Sequence, residues 1–229
     1  MVVLILDDIW IVIPAYNEGR VIADVVKNVR ESYPKIAVVD DCSTDDTFSQ
    51  AQSSGATVLR HAINLGQGAA LQTGISFALA RGATLIVTFD ADGQHQVDDI
   101  ETLLKRRDAE GADIVLGSRF LGETEGMPII RRLILKAAVI FMRLTSGLQL
   151  TDAHNGLRLF TREAAKHIHI RQNRMAHASE IINQLASLKV KVVEAPTKVV
   201  YTDYSVGKGQ SSMNSFRILA ELLVGRLSK

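Results

Sequence analysis

The stretch VTFDADGQHQ, residues 87–96, ends a β-branched apolar run in two aspartates one residue apart, Asp90 and Asp92, and then adds Gly93, Gln94 and His95. Close carboxylates repel. The cost of placing them together is offset by a turn, by a helix cap, or by a cation carrying a polyanionic ligand. Mg²⁺ and Mn²⁺ prefer hard oxygen donors and often bridge one or two carboxylates to phosphates. Asp and Gly are also what an ordinary turn uses. Two more apolar runs end in the same manner, and that convergence favours a ligand site. IPAYNE (13–18) offers an aromatic face at Tyr16 and an acceptor at Glu18, with Pro14 expected to end the strand's ladder and Asn17 equally suited to a turn. VVDDCSTDDT (38–47) offers Asp41, or Asp40, to a hydrogen-bond donor, with Ser43 or Thr44 as the cap of a following helix. A fourth run ends in GSRF, where Arg119 can fork onto phosphate oxygens or join a surface ion pair.

Positioning these groups requires strands that all end at one edge. IWIVIP (9–14) precedes Val21, Ile22, Val25, Val26 and Val29, which share a helical face. KIAVVDD, ATVLRH, TLIVTFD and DIVLGSRF read as further strands, separated by helical patterns that include GQGAALQTGISFALARG and VDDIETLLKRRDAEG. Such alternation predicts a mainly parallel α/β sheet flanked by helices, with ligands beyond the carboxyl ends of the strands. Farther on, a helix is expected over 128–145, strands at LRLF and KVVEAPTKVVY, and helices at about 176–188 and 212–227. With no repeat or linker, the expectation is a single domain, 1–229.

Composition narrows the classes. Of 229 residues, 47% are hydrophobic and 22% charged, which suits a sizeable core, and the net charge of +1 gives no field for nucleic acid. Cys42 is the sole cysteine, so neither an intrachain disulfide nor a multi-cysteine metal site is possible. The first apolar run is broken by Asp7 and Asp8 and lacks a basic leader, making it a poor signal peptide. The longest strictly apolar stretch elsewhere is AAVIFM (137–142), far below the roughly 20 residues a spanning helix needs. The glycines of NLGQGAALQTG lack the Lys-Ser/Thr ending of a P-loop, and no G-x-G-x-x-G follows the first strand.

VIPAYNE, VVDDCSTDDT, NLGQGAALQTGI, DADGQHQVDDI and VLGSRF, in that order, resemble the motifs of glycosyltransferase family 2, and most closely its polyprenyl- (dolichyl-) phosphate sugar synthases. The resemblance runs over about residues 9–208. It implies a GT-A fold, a nucleotide-diphosphate sugar donor (UDP- or GDP-linked), Mg²⁺ or Mn²⁺, and a polyprenyl-phosphate acceptor at a membrane surface. A donor-binding half would span about 9–120 and an acceptor half about 121–229. By matching position, Pro14, Tyr16, Glu18, Val39 and Asp41 would hold the nucleoside. Asp90, Ala91, Asp92 and Gln94 would meet the metal and diphosphate, and Gly68 would let backbone approach the donor. Arg119 would stabilise the leaving diphosphate, while Arg131, Arg132 and Lys208 would meet the acceptor phosphate. LTDAHNGLRLF and RMAHASEII add Asp152, Asn155, Arg158, His177 and Glu180. Many relatives carry an acidic pair there, one member of which deprotonates a hydroxyl; this chain has only Glu180 in a comparable place, with His177 three residues before it. The Arg/Gln-x-x-Arg-Trp motif of processive relatives is absent, which favours a single transfer. The implied location is cytoplasmic, peripheral on the inner face of the membrane.

PIIRRLILKAAVIFMRL combines an apolar surface with a basic stripe of Arg132, Lys136 and Arg143, as an interfacial helix would, and SFRILAELLVGRL is a second such stretch. Core packing is the other reading of both. Three other classes share features with this chain: a transferase acting on a hydroxyl, a nucleotidyltransferase, and a non-catalytic sugar-nucleotide binder. AYNEGR is a poor match to the glycine-rich basic loop a nucleotidyltransferase carries after its first strand.

Overall fold

The computed structural model describes residues 8–173 and 176–201. Lys208 and the helix expected over 212–227, with its SFRILAELLVGRL stretch, lie outside the described residues. The first half alternates as the pattern implies: β1 (Ile9–Ala15), α1 (Ile22–Arg30), β2 (Lys35–Asp40), α2 (Thr47–Ser53), β3 (Thr57–Arg60), α3 (Gln67–Ala80), β4 (Leu85–Thr88) and α4 (Asp98–Glu110). It continues with β5 (Ile114–Glu125), α5 (Ile129–Ser146), β6 (Arg158–Thr161), α6 (Arg162–Lys166), α7 (His177–Ser187) and β7 (Val192–Val200). The short α6 carries too few residues to show a helical period, and the sequence pattern did not announce it.

The seven strands among the described residues join one sheet in the order β3-β2-β1-β4-β6-β5-β7. β6 runs antiparallel to both neighbours; the remaining pairings are parallel. The chain leaves β1 towards β2 on one side and returns as β4 on the other. This makes the β1/β4 boundary a switch point, where a crevice opens beyond the strand ends. Residues 16–18 and 90–92 flank it.

Period-two alternation in β1 serves both layers of the core. Ile9, Ile11 and Ile13 pack with Val26, Val29 and Leu103 on one face; Trp10 and Val12 pack with Leu71, Ile75 and Phe160 on the other. Pro14 does not end the ladder, since Pro14 and Ala15 pair with Val39 and Asp40. Val12 turns its carbonyl to β4, accepting from Phe89 N, so Pro14, two residues on, directs its missing N–H to the same side, past the end of β4. No ladder bond is lost there.

Neither Ser43 nor Thr44 caps α2. The helix begins at Thr47 with Asp46 as a cap whose side chain makes no capping bond, and Thr47 N donates instead to Asp45 Oδ1 at 3.0 Å. Ser43 Oγ accepts from Asn17 N at 2.9 Å, and Asn17 Oδ1 accepts from Thr44 N at 2.9 Å. Ser43 and Thr44 therefore stitch the end of β2 to the end of β1.

Candidate functional site

Asp90 and Asp92 follow β4 at the switch point. Asp90 is gripped from two sides: Oδ1 accepts from Gln67 Nε2 of α3 at 3.2 Å, and Oδ2 meets His95 Nε2 at 3.1 Å. Asp92 has far less support, a single bond at Oδ1 from Gln94 N at 3.1 Å. Burial alone would raise Asp90, but the bond to His95 and the nearby positive charges of His95, Arg158 and His177 hold its carboxyl below the usual range. Burial first, and the Asp90 charge second, push Asp92 up to about 6. Among the described residues no three His, Cys, Asp or Glu side chains converge into a ready metal cage. What the strand end offers is hard carboxylate oxygen with unrelieved negative charge. That fits a divalent cation whose remaining ligands come from phosphate.

The nucleoside candidates divide. Tyr16 is 44% exposed at the end of β1, close in sequence to Glu18, which is buried. Pro14 is enclosed in β1, and Val39 has no exposed side chain. A Cβ at Gly74 of α3 would come within 3.2 Å of the Val39 side chain, so Val39 packs beneath that helix and its side chain is not available to a ligand. Asp41 is also engaged inside the fold: Oδ1 accepts from His61 Nδ1 at 2.7 Å and Leu65 N at 2.9 Å, and Oδ2 from Gly66 N at 2.6 Å. His61 Nε2 reaches Thr73 Oγ1 at 2.9 Å. Asp41 thus fixes the loop that leads into α3. The same loop exposes Ile63 and Leu65.

The family model described as glycosyl transferase family 2 matches residues 10–169. The chain belongs to that family. It is 32% identical, over 96% of its length and 97% of the relative's, to a UDP-N-acetylglucosamine–dolichyl-phosphate N-acetylglucosaminyltransferase of Methanococcus voltae. It is 38% identical to an uncharacterized protein of Methanocaldococcus jannaschii, covering 96% of this chain and 93% of that one. An undecaprenyl-phosphate mannosyltransferase of Micrococcus luteus is 29% identical, over 88% of this chain and 86% of the other. Among solved structures, the glucosyl-3-phosphoglycerate synthase of Mycobacterium tuberculosis with Mn²⁺, UDP and phosphoglyceric acid superposes with a TM-score of 0.72 at 19% identity, covering 95% of this chain and 78% of that one. At that identity the likeness speaks for the GT-A fold.

For a family 2 glycosyltransferase, several side chains sit differently from the expectation. Arg119 is not an open fork. It lies 7% exposed with Nε on Asp152 Oδ2 at 2.6 Å, Nη1 on Tyr201 Oη at 2.9 Å and Nη2 on His154 O at 2.8 Å. Burial works to lower its pKa, but the charge of Asp152, then Tyr201, more than reverses this. Arg131 stacks over the Tyr201 ring, 4.9 Å from its centroid, so α5 leans on the same network. Glu180 is likewise spoken for: its oxygens accept from Arg171 N at 3.0 Å and Gln172 N at 2.8 Å. Gly68 does admit a close backbone, but that backbone is the chain's own. Gly68 N donates to Asn173 O at 2.8 Å, and a Cβ there would overlap Gln172 O. Gln94 ties its carbonyl to Val200 N at 3.0 Å, and Ala91 is buried in the core.

Other residues come into the site without having been singled out as ligands. His95 and Gln67 hold Asp90 directly. Arg158, on β6, is 3% exposed, and burial pushes its pKa down to about 10 against the opposing charges of Asp90 and Asp152. The signal for His95 was present in DGQHQ, three residues past Asp92. Gln67 carried none beyond its place at the start of a helix.

Proposed function

We propose that this chain moves one sugar from a UDP- or GDP-linked donor to a polyprenyl phosphate, with inversion at the anomeric carbon. The observation that carries the reading is the Asp90/Asp92 pair at the switch point, where Asp92 is pushed up to about 6 with little to compensate its charge. Asp90 and Asp92, with Gln94 beside them, would hold Mg²⁺ or Mn²⁺; when bound, the ion supplies Lewis-acid stabilisation to the departing diphosphate. Tyr16 would stack on the base, and Glu18 would accept from the ribose. An oxygen of the acceptor phosphate forms the new bond to the anomeric carbon as the bond to the nucleotide diphosphate breaks, and the diphosphate leaves with the electron pair.

The engagement of Glu180 supports a phosphate acceptor over a hydroxyl. A hydroxyl needs a base to take its proton, and the Glu180 oxygens already accept from backbone N–H groups. A phosphomonoester, with a second pKa near 6, is already anionic at neutral pH. Arg131, Arg132 and Lys208 are the cations we assign to that phosphate. Arg119 would act from its network, turning the guanidinium or a remaining N–H towards the diphosphate.

The membrane half of the reading is supported by α5. Ile129, Leu133, Ile140 and Leu144 are 79%, 63%, 58% and 80% exposed, while Ala138, Val139 and Met142 on the opposite side are buried. Arg132 and Lys136 flank the exposed apolar face. Among the described residues no helix is long and apolar enough to cross a membrane. The protein would therefore sit peripherally, on the inner face of the cytoplasmic membrane. A thermal-shift screen of UDP- and GDP-sugars with and without Mn²⁺, followed by nucleotide release with polyprenyl phosphate or with soluble hydroxyl acceptors, tests the reading. Turnover with hydroxyl acceptors alone would refute the acceptor, and a donor shift indifferent to Mn²⁺ would refute the metal.

A further inference from the structure

His95 is an odd choice for the place it occupies. Its side chain is 3% exposed. Nδ1 is buried with no hydrogen-bond partner among the described residues. The ring stands edge-on to Phe89 at 5.6 Å between centroids, and the backbone bridges to Val199 of β7. A buried polar atom left unpaired carries a desolvation cost that a phenylalanine or leucine would avoid. Packing alone therefore does not account for an imidazole here. What the imidazole adds is Nε2, 3.1 Å from Asp90 Oδ2.

The surroundings of Asp90 show why that contact matters. Gln67 Nε2 holds the other carboxylate oxygen at 3.2 Å. Behind the carboxylate lies the backbone of Gly156, where any Cβ would overlap the Asp90 side chain. That backbone is itself fixed, because Thr88 Oγ1 donates to Gly156 O at 2.6 Å. Asp90 is thus enclosed by α3, by the turn before β6 and by His95. His95 is held in turn by β7.

We propose that His95 is a positioning residue: its Nε2–H fixes the plane in which Asp90 meets the donor's metal and diphosphate. The inference rests on the donor-site reading above. His95 touches neither donor nor acceptor; it acts through Asp90, as outer partners of metal-binding carboxylates do.

Mn²⁺ binding in the presence of UDP or GDP, read from the electron paramagnetic resonance signal of free Mn²⁺, separates this role from packing. His95→Phe keeps the ring and removes the donor; His95→Gln restores an N–H at the Nε2 position. Loss of an outer-shell partner typically weakens metal affinity by about 10–100-fold, and that is the result expected for His95→Phe, with His95→Gln recovering most of it. Equal affinity for wild type and His95→Phe overturns the proposal, as does a His95→Gln no better than His95→Phe. Should His95→Phe fail to fold, ¹⁵N chemical shifts of the wild-type imidazole decide: Nε2 must carry the hydrogen, and an Nε2 without it overturns the assignment. If the wild type binds neither nucleotide with Mn²⁺, the donor-site reading falls with it. Binding by the wild type that His95→Phe leaves unchanged removes His95 alone.

Discussion

The ends of β2 and β4 look alike as text, each an apolar run closing in two acids, yet the fold treats them oppositely. At β2, Asp40 accepts from Ser43 N at 3.0 Å and pairs with Arg60 at 3.1 Å, while Asp41 collects two backbone N–H groups and His61. The negative charge there is answered from within. At β4, Asp90 is answered by Gln67 and His95, but Asp92 has one backbone N–H and a like charge next to it. Acidic residues at a strand end therefore mark a site only where the surrounding loops leave charge over. Whether they do depends on residues far along the chain, such as His61 and Gly66 for Asp41.

The sharpest break of this contrast is a pair of isosteric substitutions. Asp92→Asn is expected to lower turnover by roughly 10²–10³-fold, the scale of losing one preorganised electrostatic contact, and to abolish Mn²⁺-induced thermal stabilisation. The melting temperature without metal should stay level or rise, because a strained charge is gone. Asp41→Asn is expected to do the reverse and cost about 2–4 kcal/mol of stability, since a buried acceptor of several hydrogen bonds becomes a partial donor. Thermal melts and steady-state rates on both variants check this. If Asp41→Asn melts like wild type while Asp92→Asn unfolds, the two ends have exchanged roles and the contrast is wrong.

A pH series sharpens the same comparison at lower amplitude. The Asp92 carboxyl titrates at about 6 in the fold against 3.8 when unfolded. A raised folded pKa means that its contribution is fully present below 3.8 and lost as pH rises through about 6. The metal-free protein should therefore gain stability from Asp92 as pH falls from 7 towards 4, while Mn²⁺, competing with that proton, stabilises less. In Asp92→Asn both trends should vanish. Metal-free melts showing the same pH slope in wild type and variant would reassign the effect to other groups.

Much of the fold was legible because its signals are local. The β1, β2 and β4 runs, the helical faces of α1 and α4, and the extent of α5 follow from periodicity within a dozen residues. The candidate residues gathered at the switch point were legible where type and strand end coincide, as for Asp90, Asp92 and Tyr16. The buried network around Arg119 was not legible, because its partners Asp152 and Tyr201 lie 33 and 82 residues away. Gly68 was expected to let backbone approach the donor; the backbone that approaches it comes from Gln172 and Asn173, over a hundred positions later. Pairings of that span leave no period in the sequence.

The smallest effect repeats the contrast on α5. The expected basic stripe of Arg132, Lys136 and Arg143 is not uniform. Arg143 is half-buried, and its Nε donates to Leu150 O at 2.5 Å, tying the chain beyond the helix back to its last turn. Arg132 and Lys136 are exposed and make no ion pair among the described residues, beside an apolar face that includes Leu133 and Ile140. Only these two have charge left over for an anionic surface. Each basic residue at such a surface is worth about 1 kcal/mol, so replacing both with glutamine should weaken binding to anionic vesicles by roughly 30-fold at low salt. Binding to neutral vesicles should change little, because the apolar face is intact. Arg143→Gln should behave differently, lowering the melting temperature and leaving vesicle partition nearly alone. Sedimentation with anionic and neutral vesicles measures all three. Equal losses from Arg143 and from the exposed pair would mean that the whole stripe faces lipid and that the Leu150 contact yields to it. No sedimentation on either surface would remove the membrane from the reading and shift the acceptor towards a soluble phosphate.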